Sequence, residues 1–290
     1  MDILYVTYAL DGLLMIAIPI ALAIYVTKKF ELYWRLWWIG AVVFILAWIG
    51  SIPFDNYVAG PLLEKVSGNP ALSAIMVLIL SALILGLSTA LIEELLRYAM
   101  FRWWAKDARS WVNGLLTGAG HGGAGAIFLG ALVLYNFINM VMVRNADLSK
   151  LVTADQLQLA QAQVNAYWSM PWYSTLNEAV QLIFTIPIQI CFALIVLQTF
   201  IRKQWYWVLV AIGIHTLFEA TRVVAQNLLN GYLVNLVIAA FGIVSVVVIF
   251  AFRRVEPAQD LLAGSTLPPN AGETERNIVG NAIEAREDKD

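Results

Sequence analysis

The run LSAIMVLILSALILGLSTALIEELLRYAMFRWW, from Leu72 to Trp104, decides the fold. Residues 72 to 92 hold no ionisable side chain. A hydrocarbon core about 30 Å thick needs roughly 20 apolar residues in a helix, because the backbone finds no water there and must bond within the segment. The run is therefore read as a transmembrane helix. Glu93, Glu94 and Arg97 then fall inside its length, before the aromatic residues that end it.

Six further segments meet the same test, approximately 9 to 27, 34 to 54, 111 to 142, 175 to 200, 205 to 229 and 231 to 252. The expected fold is all-α, a polytopic transmembrane bundle of about seven helices spanning 1 to 254. The segments 72 to 104 and 111 to 142 exceed what a bilayer requires, so they are expected to tilt, protrude or break at Gly86 or in the cluster from Gly118 to Gly125. Composition agrees: 60% of the 290 residues are hydrophobic and 13% charged, against about 45–50% and 25% in soluble domains. Asp2 and Asp11 precede or open the first segment while Lys28 and Lys29 follow it, the reverse of a secretory signal, which predicts an uncleaved first helix. A net charge of −2 with scattered cations excludes a nucleic-acid surface. The single cysteine, Cys191, excludes an intrachain disulfide and a thiolate metal cluster.

Lys28, Lys29, Arg35, Arg102, Lys106, Arg109, Arg202, Lys203, Arg253 and Arg254 flank alternate segment ends, while the opposite loops hold only Lys65, Arg144 and Lys150. By the positive-inside rule the N-terminus is expected outside and the C-terminus inside the cytosol of a multi-pass cell-membrane protein. Tyr33, Trp34, Trp37, Trp38, Trp103, Trp104, Trp111, Trp205, Tyr206 and Trp207 mark the basic side as an interfacial aromatic belt. Residues 154 to 168 read as a surface helix, with Trp168 and Trp172 at headgroup level. From 255 to 290 the chain turns polar and Pro-, Gly- and Glu-containing, as a disordered cytosolic tail does.

An ionisable residue inside a span costs about 2.5–3.5 kcal/mol on insertion scales, so each needs a partner or a role. Three clusters qualify: Glu93, Glu94 and Arg97; His121 in GAGHGGAGAI; and His215 with Glu219. Trp104 to Glu94, Trp111 to His121 and Trp205 to His215 are each ten residues apart, or roughly 15 Å of helix rise. Equal depth predicts one site lining one cavity. Arg97, three and four residues from the two glutamates, can hold one carboxylate ionised and leave the other as a general base. The glycines around His121 admit a substrate backbone or a neighbouring helix. Glu219 can instead pair with Arg222 on its own helix.

The EExxR, GHGG and HxxxE motifs together resemble those of the YhfC family of intramembrane proteases, itself distantly similar to the PrsW and CAAX-protease/bacteriocin-processing families. The resemblance covers about Leu72 to Arg254. It implies a glutamate-dependent peptidase acting on a membrane-protein or peptide substrate within the lipid bilayer, without a cofactor. Glu93 or Glu94 would activate water, Arg97 would fix the paired glutamate, and His121 and His215 would bind water or the oxyanion. The family motif continues with a glutamate where this chain has Gly125, and its last motif reads HxxxD. Loss of that carboxylate predicts reduced catalysis, offset only in part by Glu219. Rival classes are a His/Glu metal-dependent protease, a non-catalytic scaffold and a proton-coupled transporter. A retinal protein is disfavoured because residues 231 to 252 hold no lysine.

Overall fold

The computed structural model describes residues 3–255. The tail expected to be disordered lies outside the described residues. Among those described, the regular elements are all helical: α1 (Ile3–Lys29), α2 (Arg35–Phe54), α3 (Gly60–Ser67), α4 (Ala74–Ala99), α5 (Trp111–Val143), α6 (Leu157–Trp168), α7 (Asn177–Ile201), α8 (Tyr206–Leu228) and α9 (Gly231–Val255). Seven helical runs among the described residues are long and apolar enough to cross a membrane. Their outward faces carry Leu, Ile and Val, such as Ile45, Leu83, Leu132, Leu217 and Val247. Lipid is as apolar as these side chains, so the bundle needs no polar exterior at that level.

Serine caps start two of the spans. Ser73 accepts from the Met76 amide before α4, and Ser110 accepts from the Asn113 amide before α5, each at 3.4 Å. These satisfy amides that a helix start leaves unpaired. The second span runs further than the sequence suggests. After α2, a π-helical turn at Asp55–Ala59 leads directly into α3. Asp55 accepts the Ser88 hydroxyl at 2.5 Å, and Pro61 lies just after the π-helical turn, where α3 begins. The residues that read as a loop thus continue the helix.

Neither glycine-bearing span breaks at its glycines. α4 passes through Gly86 and ends in a π-helical turn at Met100–Trp104, while α5 runs unbroken through Gly118 to Gly125. The glycines serve close approach instead. A Cβ on Gly120 would strike the Trp37 carbonyl of α2, and one on Gly118 would sit 2.7 Å from the Ile190 Cα of α7. α5 is thereby wedged between α2 and α7 with almost no side-chain layer. Gly86 does the same for α4 and α8, where a Cβ would lie 2.8 Å from the Thr216 carbonyl.

α7 is the central helix, buried continuously from Ile190 to Thr199. Cys191 lies there as a free, buried thiol. The basic clusters gather at one end of the bundle: Arg35 bonds Asp107 and the Trp104 carbonyl, and the Arg253 guanidinium lies over Trp111. At this end Trp34, Trp38, Trp103, Trp104 and Trp205 are exposed, as a headgroup belt requires. Trp37 and Trp111 are not part of that belt. Both are buried, and the Trp111 indole donates to the Ile249 carbonyl at 2.7 Å. The expected surface helix is α6, with Trp168 donating to the Met140 carbonyl at the opposite end.

Candidate active site

The three polar clusters meet in the middle of the bundle. Glu93 and Glu94 lie side by side on α4 and point to different neighbours, because consecutive helical residues diverge by about 100°. Glu93 faces α5, where its Oε2 lies 3.0 Å from His121 Nε2. Glu94 faces α8, where its Oε1 lies 2.6 Å from His215 Nδ1. Arg97, one turn along, joins the two: it donates to Glu93 Oε2 at 2.8 Å and to Glu94 Oε1. A continuous chain therefore runs His121, Glu93, Arg97, Glu94, His215.

Aromatic rings frame the histidines. Phe192 of α7 stacks on His215 at 4.3 Å and lies under Arg97, while Phe44 of α2 meets His121 edge-on at 5.6 Å. Gln189 of α7 accepts from Arg97 through its Oε1. Gln189, Phe192 and Phe44 were not picked out from sequence. A glutamine inside the apolar run from Thr185 to Leu197 was a usable signal, since a buried amide needs partners just as a buried charge does. The two phenylalanines gave none, being ordinary membrane residues.

The expectation that His215 lines one cavity with Glu93 and His121 needs correction. A cavity of about 250 Å³ is walled by Glu93, His121, Gln189, Glu178, Glu219 and Arg222, among others. Glu94 and His215 do not line it; both side chains are fully buried. The two carboxylates converge on Arg97, but of the pair only Glu93 is turned to the cavity. The walls follow α5 from His121 to Leu129, α7 from Gln189 back to Glu178 and α8 from Phe218 to Arg222. The cavity thus leads from the network away from the basic end. A second cavity of about 190 Å³ between α2 and α4 shares Glu93 and Phe44.

Glu219 bonds Arg222 at 2.6 and 3.0 Å rather than any member of the central chain. It reaches the site only as cavity wall. Gly125 also lines the cavity, and a Cβ there would lie 3.0 Å from the Phe44 ring, the ring that abuts His121. A larger residue at that position must displace Phe44.

Several buried polar atoms have no hydrogen-bond partner, among them Glu94 Oε2, His121 Nδ1 and His215 Nε2. Glu93, Glu94 and His215 each offer a donor atom, all within 4.8 Å of one another. Oxygen and imidazole donors of this kind suit Zn²⁺ or Fe²⁺. In kind and proximity the residues fit a divalent cation. Arg97 weighs on the other side, because its guanidinium already bonds both carboxylates and would repel an ion placed between them.

Comparison with known proteins gives a consistent picture. The sequence profile of the YhfC intramembrane metalloprotease family matches residues 14–243. The uncharacterized membrane protein YhfC of Bacillus subtilis (strain 168) is 27% identical over 254 residues, covering 85% of this chain and 95% of that protein. No solved structure matches.

Proposed function

The chain belongs to the YhfC intramembrane metalloprotease family, and from that premise we propose that it hydrolyses peptide bonds of membrane-embedded substrates with Glu93 as general base. One observation carries this: of the two network glutamates, Glu93 alone meets the cavity, with His121 beside it. Water in the cavity beside Glu93 loses a proton to that carboxylate as its oxygen attacks the peptide carbonyl. Glu93 then returns that proton to the departing amine as the carbon–nitrogen bond breaks, so the base is regenerated. Arg97 keeps Glu93 ionised before attack and Glu94 keeps Arg97 in place, each through direct bonds.

The oxyanion needs a donor. A neutral His121 that gives its Nε2–H to Glu93 leaves Nδ1 as an acceptor, so it cannot fill that role. Gln189 can. Its Oε1 is taken by Arg97, which leaves the amide NH₂ to donate, and the residue lines the cavity. If the basic end is cytosolic, as the charge distribution favours, the cavity draws its water from the non-cytosolic side.

A metal-dependent variant of this reading rests on the cluster of Glu93, Glu94 and His215. A divalent ion held there would polarise the scissile carbonyl and acidify bound water. The two readings separate cleanly with purified protein in liposomes and a panel of transmembrane peptides. The glutamate reading expects cleavage that survives chelation and is lost in Glu93→Gln and strongly reduced in Gln189→Leu. Stoichiometric zinc or iron, with cleavage lost on chelation, would establish the metal variant instead. No cleavage by wild type of any peptide would favour a scaffold or proton-coupled transporter on the same fold.

A further inference from the structure

A second built site lies at the basic end, remote from the chemistry. A pocket of about 310 Å³ is bounded by Lys106, Asp107, Arg109, Ser110, Asn113 and the Phe200–Ile201 end of α7. It opens over the first turn of α5, a 33-residue helix whose amides and dipole present positive charge there. Asn113 is only 7% exposed, lines this pocket, and its side-chain amide makes no hydrogen bond within the described structure. An amide open to the pocket offers its N–H donors to a ligand seated there.

The cations around it are arranged rather than scattered. Arg109 is clamped by two bonds to the Phe101 carbonyl, at 3.1 and 2.9 Å, and its guanidinium lies 4.3 Å from the Phe200 ring centre. Lys106 is exposed at the rim. The one carboxylate present, Asp107, is compensated by Arg35 at 3.3 Å. Its acid is held below the ordinary carboxylate range by its own backbone amide and, after that, by Arg35. Exposed Trp103 and Trp104 on the preceding turn set the pocket at headgroup level.

We infer that this pocket binds a phosphate anion, in the first instance the headgroup of an anionic lipid seated against the start of α5. The same chemistry would accept a soluble phosphate.

The test uses full-length protein in nanodiscs of phosphatidylcholine with or without phosphatidylglycerol. Lipid retained after extraction is counted by native mass spectrometry, and unfolding midpoints are read with and without inorganic phosphate. Retention of phosphatidylglycerol over phosphatidylcholine is expected, with affinity falling about fivefold in Lys106→Gln, the effect of one cation near an anionic headgroup. Lys65→Gln at the opposite end should change nothing. Asn113→Leu should abolish the preference, and Lys106→Gln, at the surface, covers the case in which that variant fails to fold. Stabilisation by inorganic phosphate without lipid preference, lost in Lys106→Gln, would support the anion site with a soluble source. Equal retention of both lipids and no phosphate effect, or identical behaviour of wild type and Lys106→Gln, would overturn it.

Discussion

Two glutamate–histidine pairs stand on either side of Arg97, alike in chemistry and opposite in surroundings. Glu93 and His121 meet a cavity, and the Glu93 side chain keeps 15% of its surface exposed. Glu94 and His215 are sealed at 0%. A base must reach water and a peptide, so only the open pair can exchange protons with a substrate. The sealed pair can fix the geometry of Arg97 without being consumed in the reaction. On the function proposed above, identical groups divide into a working pair and a holding pair according to which side of α4 they face.

The sharpest way to break this division is to remove each base in turn. Glu93→Gln keeps shape and loses the proton acceptor, so peptide cleavage should fall by about 10²–10⁴-fold. Its unfolding midpoint should change little, because Arg97 retains Glu94. Glu94→Gln should show the opposite balance. It leaves a fully buried guanidinium and imidazole short of their carboxylate, and removing one partner from a buried ion pair costs about 3–5 kcal/mol. Thermal unfolding in detergent, measured beside cleavage, decides between them. Equal activity losses with equal stability would end the distinction.

A smaller effect comes from wedging the pairs apart without touching them. Gly120→Ala drives a methyl group into the Trp37 backbone and pushes α5, with His121, off α2. Gly86→Ala drives one into Thr216 and Ala220 and separates α4 from α8, which carries His215. Neither obstacle is a flexible side chain, so each should destabilise by about 1–3 kcal/mol. Cleavage per folded molecule should drop more for Gly120→Ala than for Gly86→Ala. The reverse ranking would place the working pair at His215.

The span count, the helical class and the meeting of Glu93, Glu94, Arg97, His121 and His215 were legible from sequence, because charge in an apolar run is expensive and equal depth brings rare groups together. The division between the pairs was not. It depends on the rotation of α4 about its axis, which sets which glutamate faces α5 and which faces α8. Motif spacing along one helix carries no record of what lies beside it. The glycines of α5 allowed two readings for a related reason, a break or the approach of a neighbouring helix, and the structure shows the second: in one dimension a glycine that admits a backbone looks like one that breaks a helix. Gln189 was readable as a polar residue in the apolar stretch TIPIQICFALIVL, but its partner Arg97 lies 92 positions away.

The smallest expected effect tests the outer boundary of the working pair. Glu219 stands four residues after His215, and a motif-based view joins the two. In the structure His215 bonds Glu94, and Glu219 turns along its own helix to Arg222. Such i,i+3 pairs contribute about 0.3–0.5 kcal/mol on helices in water, and Arg222 keeps 35% of its side-chain surface exposed, which weakens this one. Glu219→Gln retains the hydrogen-bonding shape and the cavity wall while releasing Arg222. Cleavage should therefore change by less than about fivefold, the kinetic equivalent of 1 kcal/mol. The effect should appear in KM rather than kcat, since a wall residue meets substrate and transition state alike. A hundredfold fall in kcat would instead bring Glu219 into the chemistry, with Arg222 performing for it the service that Arg97 performs for Glu93.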